Sequence, residues 1–587
     1  MRARRVFLAA FPYAVFALLT AVSWQRWIEP YVDTGRELMV PWRLAQGESL
    51  YRDVRFFHGP LAPEVAAGID ALLGRHLATR IVFAALIALA HLEGLRRLAG
   101  RFLSAARTSL VTGAIVAVAW FLRPGGQLFP FSFDTSLAVA ADAWALFLAA
   151  GRGDGKHDRI AAALIAVGLL SRPEMGLATL LILSWDAGWS RRLWFLACLP
   201  LALAAPVYVA FSAGAPIASL RREGWLAIVG PPEAFRNVYA AYAGFDRPGL
   251  RLAELALAAV LLAVVAALLV TAAFLARPLA GAARTGIEVG ALLLLAGACA
   301  ITLNPPPALA ESIQLLPPLV RVVPAVAVAG AVWRGLRRLA RRGPGAILGA
   351  IPDALLFAAA LYGLRLLLAA GYVGPYNAFL LPLPLLSASI LLFAAADRAA
   401  RVIGPLPRLV AGALILFMAG RVGALALLYR NPAWSLVETP RGSLYLLEPV
   451  ATATRLVLHD LSVRLPSGSK VIGFPEGGFF DYVLGFSNPL PQEQFFPGHL
   501  DADLETETMR SLERRPPDAV LLCNVLAVGH GSRAFGSDYL PRLGQFLSQG
   551  FAAAASYGPG AGPDTRVGDP RFFVTIRVPV PIARESR

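Results

Sequence analysis

Runs of apolar residues, each closed by a short arginine-rich loop, recur from the N-terminus to about residue 428. A helix needs ~18 or more apolar residues to cross a ~30 Å hydrocarbon core, where every backbone polar group must be bonded within its own segment. The pattern predicts a polytopic α-helical membrane protein with about thirteen transmembrane helices. They are expected at residues 6–23, 78–96, 107–122, 134–150, 159–171, 176–189, 193–212, 251–276, 286–303, 318–333, 346–370, 376–396 and 406–428. The chain is 57% hydrophobic and only 16% charged, which no ordinary soluble domain of 587 residues matches.

The net charge of +16 invites a nucleic-acid reading. The placement of the charge argues against it, because the arginines sit in short loops between apolar helices, as the positive-inside rule requires. Arg2, Arg4 and Arg5 put the N-terminus in the cytoplasm. Counting outward, Arg96, Arg97, Arg101 and Arg107 then fall on the same side, as do Arg191 and Arg192, Arg334 to Arg342, and Arg398 to Arg408. Residues 159–189 are read as two short helices broken at Ser171-Arg-Pro-Glu174. A single helix would reverse every later loop, and Pro173 disfavours helical geometry in the residue before it. The basic N-terminus and Ala21-Val-Ser23 also resemble a cleaved signal peptide. A retained first span is favoured because so many spans follow. Lysine occurs only at Lys156 and Lys470, and with the heavy Ala, Gly and Pro usage this suggests a GC-rich bacterial genome. Cys198, Cys299 and Cys523 have neither zinc spacing nor the look of a disulfide framework.

The character changes near residue 430. Residues 1–429 form the membrane domain, with a first outer loop at about 24–77. Residues 430–587 carry short apolar strands at 470–474, 519–523 and 572–576, with a helical pattern at 538–550. They predict a small α/β domain, placed outside the cytoplasm by the odd number of spans.

The outer loops collect the polar residues. The first holds Asp33, Arg36, Glu37, Arg43, Arg52, Asp53, Arg55 and His58. Arginines here run against the charge rule, so partners are expected; surface ion pairs are the plainer alternative. Asp33 follows the first span directly. Asp134 stands where it can cap the fourth span, and a cap is compatible with a site role. Arg172 and Glu174 follow an apolar run of about a dozen residues, about 17 Å of helix, too short to cross. Charges at that depth mark a functional site unless they only fix helix packing. Alanine at Arg172 is then expected to impair ligand use far more than folding. Tyr376 lies in Gly374-Pro-Tyr-Asn377 between the eleventh and twelfth spans, where its hydroxyl can donate to a phosphate oxygen.

At these residues the chain resembles the GT-C superfamily of membrane glycosyltransferases, in the bacterial branch related to protein O-mannosyltransferases and the lipid A aminoarabinose transferase. The resemblance lies in Asp33, in Gly47-Glu-Ser-Leu-Tyr-Arg-Asp53, in Gly59-Pro60 before an amphipathic helix ending at Leu73-Gly74, and in the Arg-Pro-Glu break. It covers the first ~190 residues in motif and the rest in architecture. The mannosyltransferase branch often pairs Asp with Glu in this loop, whereas here Thr34 follows Asp33 and the next acid is Glu37.

The resemblance implies a sugar donor carried on polyprenyl phosphate and used on the outer face of the bacterial cytoplasmic membrane. It implies transfer with inversion to an acceptor hydroxyl on a glycan, lipid or protein. Asp33 would be the general base. Arg172, with Arg36, Arg52 and Tyr376, would hold the donor phosphate. Glu37, Asp53, His58, Asp134 and Glu174 would support the site or the acceptor. No cofactor is implied, and the question of a divalent metal stays open. A flippase for lipid-linked sugars would want charges along a through-pathway and internal repeats, and no repeat is visible. A non-catalytic envelope-assembly protein would need no convergence of acid and arginine.

Overall fold

The structure, a computed structural model, describes residues 2–121, 132–150, 155–187, 191–214, 233–245, 247–303, 318–340, 352–367, 379–448, 450–525, 527, 534–558 and 573–580. Each of the expected apolar segments carries helix in its described part. Among the described residues five helices are long and apolar enough to cross a membrane: Leu77–Ala99, Trp194–Ser212, Pro248–Ala276, Pro382–Ile403 and Leu406–Tyr429. Val6–Val22, Ala105–Trp120 and Asp353–Leu364 are shorter apolar helices. Large apolar side chains such as Leu257, Val264 and Trp194 face outward from these helices. That is the arrangement of a protein whose solvent is lipid, and the chain is a polytopic membrane protein.

The break at Ser171-Arg172-Pro173 is real. One helix spans Gly155–Ser171 and the next Pro173–Ala187. A Cβ added to Gly176 would fall 2.2 Å from the Leu169 backbone nitrogen. In a continuous helix residues seven apart are about 10 Å apart along the axis, so the chain folds back on itself here. Two further helices, Thr34–Ala45 and Leu61–Leu73, lie between the first apolar helix and Leu77–Ala99.

Beyond the last span comes an antiparallel hairpin of β1 (Trp434–Thr439) and β2 (Gly442–Leu447). A four-stranded sheet follows, built from β3 (Val471–Phe474), β4 (Ala519–Cys523), β5 (Phe551–Tyr557) and β6 (Val574–Pro579) in the order β3-β4-β6-β5. β3 and β4 run parallel, with Val471 opposite Ala519, while β6 is antiparallel to both β4 and β5. The expected strands are β3, β4 and β6, and the expected helix is Pro541–Gly550. β5 has no counterpart in the sequence pattern. Its Ala552 to Ala555 favour helix, and pairing against β6 overrides that preference.

This region is sewn onto residues 24–77. The backbone N–H of Tyr445 donates to Gln25 O (2.9 Å), that of Leu77 to Arg441 O (2.9 Å), and that of Arg55 to Pro491 O (2.8 Å). The Arg441 guanidinium lies 4.2 Å over the Trp42 ring. Tyr31, with no exposed surface, packs on Phe480 at 5.6 Å and shares a hydrogen bond with Thr454 Oγ1 (2.8 Å). One apolar core runs from the membrane helices through these contacts into the sheet. The C-terminal region therefore lies at the same end of the molecule as residues 24–77.

Candidate active site

Two charged clusters meet under this roof. The first is built on the start of helix Thr34–Ala45. Asp33 is its N-cap residue, at φ 63° and ψ −34°, a conformation that costs a non-glycine residue energy. An N-cap aspartate ordinarily spends its carboxylate on the first free N–H groups of its helix. Asp33 makes no such bond. Glu476 supplies it from the loop after β3: Oε2 accepts from Asp33 N–H (2.7 Å) and Oε1 from Arg36 N–H (3.3 Å). The approach is possible because two glycines meet. A Cβ on Gly35 would fall 2.9 Å from Phe479 N and 3.0 Å from Gly478 Cα.

Gln494 completes this cluster. Its Nε2 donates to Asp33 Oδ1 (2.9 Å) and to Glu476 Oε2 (2.8 Å), while its Oε1 accepts from Arg36 (2.7 Å). Arg36 also donates to Glu37 Oε1 (2.9 Å) and lies 3.7 Å from Asp33 Oδ1. Burial first, then the neighbouring charge of Asp33, pushes Glu476 up to about 8. Burial raises Glu37 to about 7 against the pull of Arg36.

The second cluster is built on the helix break. Gly59 N–H donates to Ser171 O (3.0 Å), and a Cβ there would sit 2.0 Å from the Leu170 carbonyl oxygen. That seat brings His58 to Arg172, whose NH1 lies 2.7 Å from Nδ1. Arginine only donates, so the imidazole nitrogen that meets it accepts and the ring is neutral. Burial, then the charge of Arg172, holds His58 well below its ordinary pKa, in agreement. Arg172 Nε faces Asp134 Oδ2 at 2.9 Å and donates to Thr135 Oγ1 (2.8 Å). Glu174 stands off at 3.4 Å, the loosest of these partners.

The clusters feel one another. Asp134 acts electrostatically on both Arg36 and Glu37, and Arg36 acts on His58. The structure thus brings together Asp33, Arg36, Glu37, His58, Asp134, Arg172 and Glu174. Arg52 and Asp53 instead pair with each other at 2.8 Å on the surface, with Arg52 half exposed. Tyr376 lies outside the described residues. Among the described residues no three His, Cys, Asp or Glu side chains gather as a metal-holding group.

Three participants escaped the sequence reading. Arg365 follows helix Asp353–Leu364 and its charge reaches His58; an arginine inside an apolar run was the available signal. Glu476 and Gln494 come from the C-terminal region. The signal for Glu476 was an acid between an apolar strand and Gly477-Gly478, at the carboxyl end of a parallel strand, where α/β sheets gather their ligands.

No family model matches the chain, and no curated protein matches it. Among solved structures the chain is similar to ArnT from Cupriavidus metallidurans in the apo state, at 14% identity and TM-score 0.44, over 98% of each chain. The same enzyme bound to undecaprenyl phosphate gives 14% identity and TM-score 0.42, over 97% of this chain and 98% of that one. The Archaeoglobus fulgidus oligosaccharyltransferase in complex with Zn and sulfate gives 11% identity and TM-score 0.46, over 94% of this chain and 72% of that one.

Proposed function

We propose that the protein is an inverting glycosyltransferase of the bacterial cytoplasmic membrane. It moves a sugar from a polyprenyl-phosphate donor to an acceptor hydroxyl on the outer face. The observation that carries the reading is a difference in access. Glu37, Asp134 and Glu476 are all but sealed, at 4%, 0% and 0% exposed. The Asp33 side chain keeps 31% of its surface, beside Arg36, which buried Glu37 fixes; Arg172, fixed by buried Asp134, stands in the neighbouring cluster. An open carboxylate next to held cations suits a reaction that removes a proton while a phosphate departs.

Asp33 takes the proton of the acceptor hydroxyl. The oxygen bonds to the anomeric carbon from the face opposite the phosphate, and the bond from that carbon to the phosphate oxygen breaks. Polyprenyl phosphate leaves with the electron pair. Arg172 faces the growing phosphate charge and exchanges its long contact to Glu174 for a phosphate oxygen. Arg36 stands beside Asp33 and tempers the charge there. The lipid tail stays in the bilayer, so the anomeric carbon is presented near the membrane surface, where the first span ends and Asp33 begins the next helix.

The test is transfer by the purified full chain from a panel of radiolabelled polyprenyl-phosphate sugars. Asp33→Asn keeps size and most hydrogen bonding but cannot accept the proton, so transfer should fall by ~10²–10⁴ with the donor still bound. Near-normal transfer in that variant, with Asp134→Asn or Glu37→Gln dead, would move the base to another carboxylate. Activity in all three would remove the mechanism.

A further inference from the structure

Helix Thr34–Ala45 is capped by a carboxylate 443 residues away along the chain. A capping box normally satisfies two backbone N–H groups with two local side chains, one at the cap and one three residues on. Here those positions are Asp33 and Arg36, and both N–H groups are met by Glu476 alone. Arg36 cannot serve, because its side chain is a donor. Asp33 is chemically able to cap its own helix and does not.

We infer that Glu476 and Gln494 are positioning residues of the transferase centre: by capping the helix in place of Asp33 and bonding one of its oxygens, they hold its carboxylate toward the acceptor. The inference rests on the reading of Asp33 as the base and extends it to the C-terminal domain, which becomes part of the active site. Three features support it. Glu476 is fully buried, although an acid in a loop is ordinarily exposed. Both its oxygens accept, Oε2 twice, so the carboxylate is used on both sides. Gln494 touches Asp33, Glu476 and Arg36 at once, which fixes where Asp33 Oδ1 lies and leaves Oδ2 for chemistry. The unfavourable backbone angle at Asp33 is then part of the design, since it is held by contacts from another domain.

Glutamine at position 476 keeps the volume but offers a single acceptor oxygen, with its NH2 group set against a backbone donor. In Glu476→Gln, Asp33 is free to turn back and cap its own helix. Above pH 8, where the Glu476 carboxyl is ionised, transfer should fall by ~10- to 100-fold in kcat, the scale of a lost charge-assisted hydrogen bond, with the donor KM changed less than about threefold. Gln494→Leu keeps the two backbone contacts and should lower kcat by a smaller factor, again at steady KM. A purely structural role would move the thermal midpoint and spare this kinetic split. Wild-type kcat in a folded Glu476→Gln overturns the inference. If that variant does not fold, wild-type kcat in Gln494→Leu overturns it.

Hydrogen–deuterium exchange over residues 31–40 separates this inference from the functional reading, because it needs no substrate. Faster exchange in Glu476→Gln is expected whether or not a sugar donor has been found. Unchanged protection there sinks the capping role. Absence of transfer from every donor by the wild type sinks the transferase reading instead.

Discussion

Arg172 is tied to a carboxylate that solvent does not reach. Asp134 is 0% exposed and 2.9 Å away. From the sequence, alanine at 172 is expected to spare the fold, and the geometry revises this. Removing one partner of a buried pair leaves an uncompensated charge, at a cost of ~3–5 kcal/mol. Arg172→Ala should therefore lower the thermal midpoint as well as transfer. Adding Asp134→Asn should recover most of the midpoint and none of the transfer, as differential scanning fluorimetry and the donor assay would read. A wild-type midpoint in Arg172→Ala alone would mean that the pair does not hold the fold. Asp33 and Arg172 were legible in the sequence because charge beside an apolar run is costly and so has a reason. Glu476 and Gln494 were not, because what makes them matter is a contact with the first loop, and no local pattern reports a contact of that range.

Among the elements, the segment His58-Gly59-Pro60 and the two helices meeting at Arg172 act as one joint. The Gly59 seat against the Leu170 carbonyl is set by backbone and cannot be relieved by turning a side chain. Gly59→Ala should cost about 1–3 kcal/mol or more and displace His58 from Arg172. Gly68, inside helix Leu61–Leu73, has open space where a Cβ would go. Gly68→Ala should be neutral or stabilising by ~0.5–1 kcal/mol. Thermal midpoints of the two variants, measured side by side, check the contrast, and equal midpoints would discount the joint. The helices and their break were legible from apolar run length and Pro173. The reversal of direction was legible too, from counting the two as separate spans; how closely they pack was not, because it depends on Gly168 and Gly176 touching, and glycines in apolar helices are too common to announce a contact.

For the whole molecule, the apolar runs marked out the membrane helices, and the change of composition near residue 430 marked where the strands begin. What the C-terminal region does was hidden, since it depends on where it docks. It shares an end of the molecule with residues 24–77, while Arg96, Arg97 and the Arg107–Asp397 pair (2.6 Å) mark the opposite end. With the arginine-rich end in the cytoplasm, a periplasm-dependent reporter fused after residue 587 should be active and a cytoplasm-dependent one silent. The reverse result would invert the topology. The distance along the chain between Asp33 and its cap also sets a schedule for biosynthesis. Ribosomes add ~5–20 residues per second, so the 443 residues separating Asp33 from Glu476 take roughly 20–90 s to make. Through that interval the nascent chain sits in the bilayer with an unfinished centre. If the protein is the proposed transferase and Glu476 holds its base in place, a prematurely terminated chain is inert toward a lipid-linked donor, and a newly made one stays so until its C-terminal region has emerged.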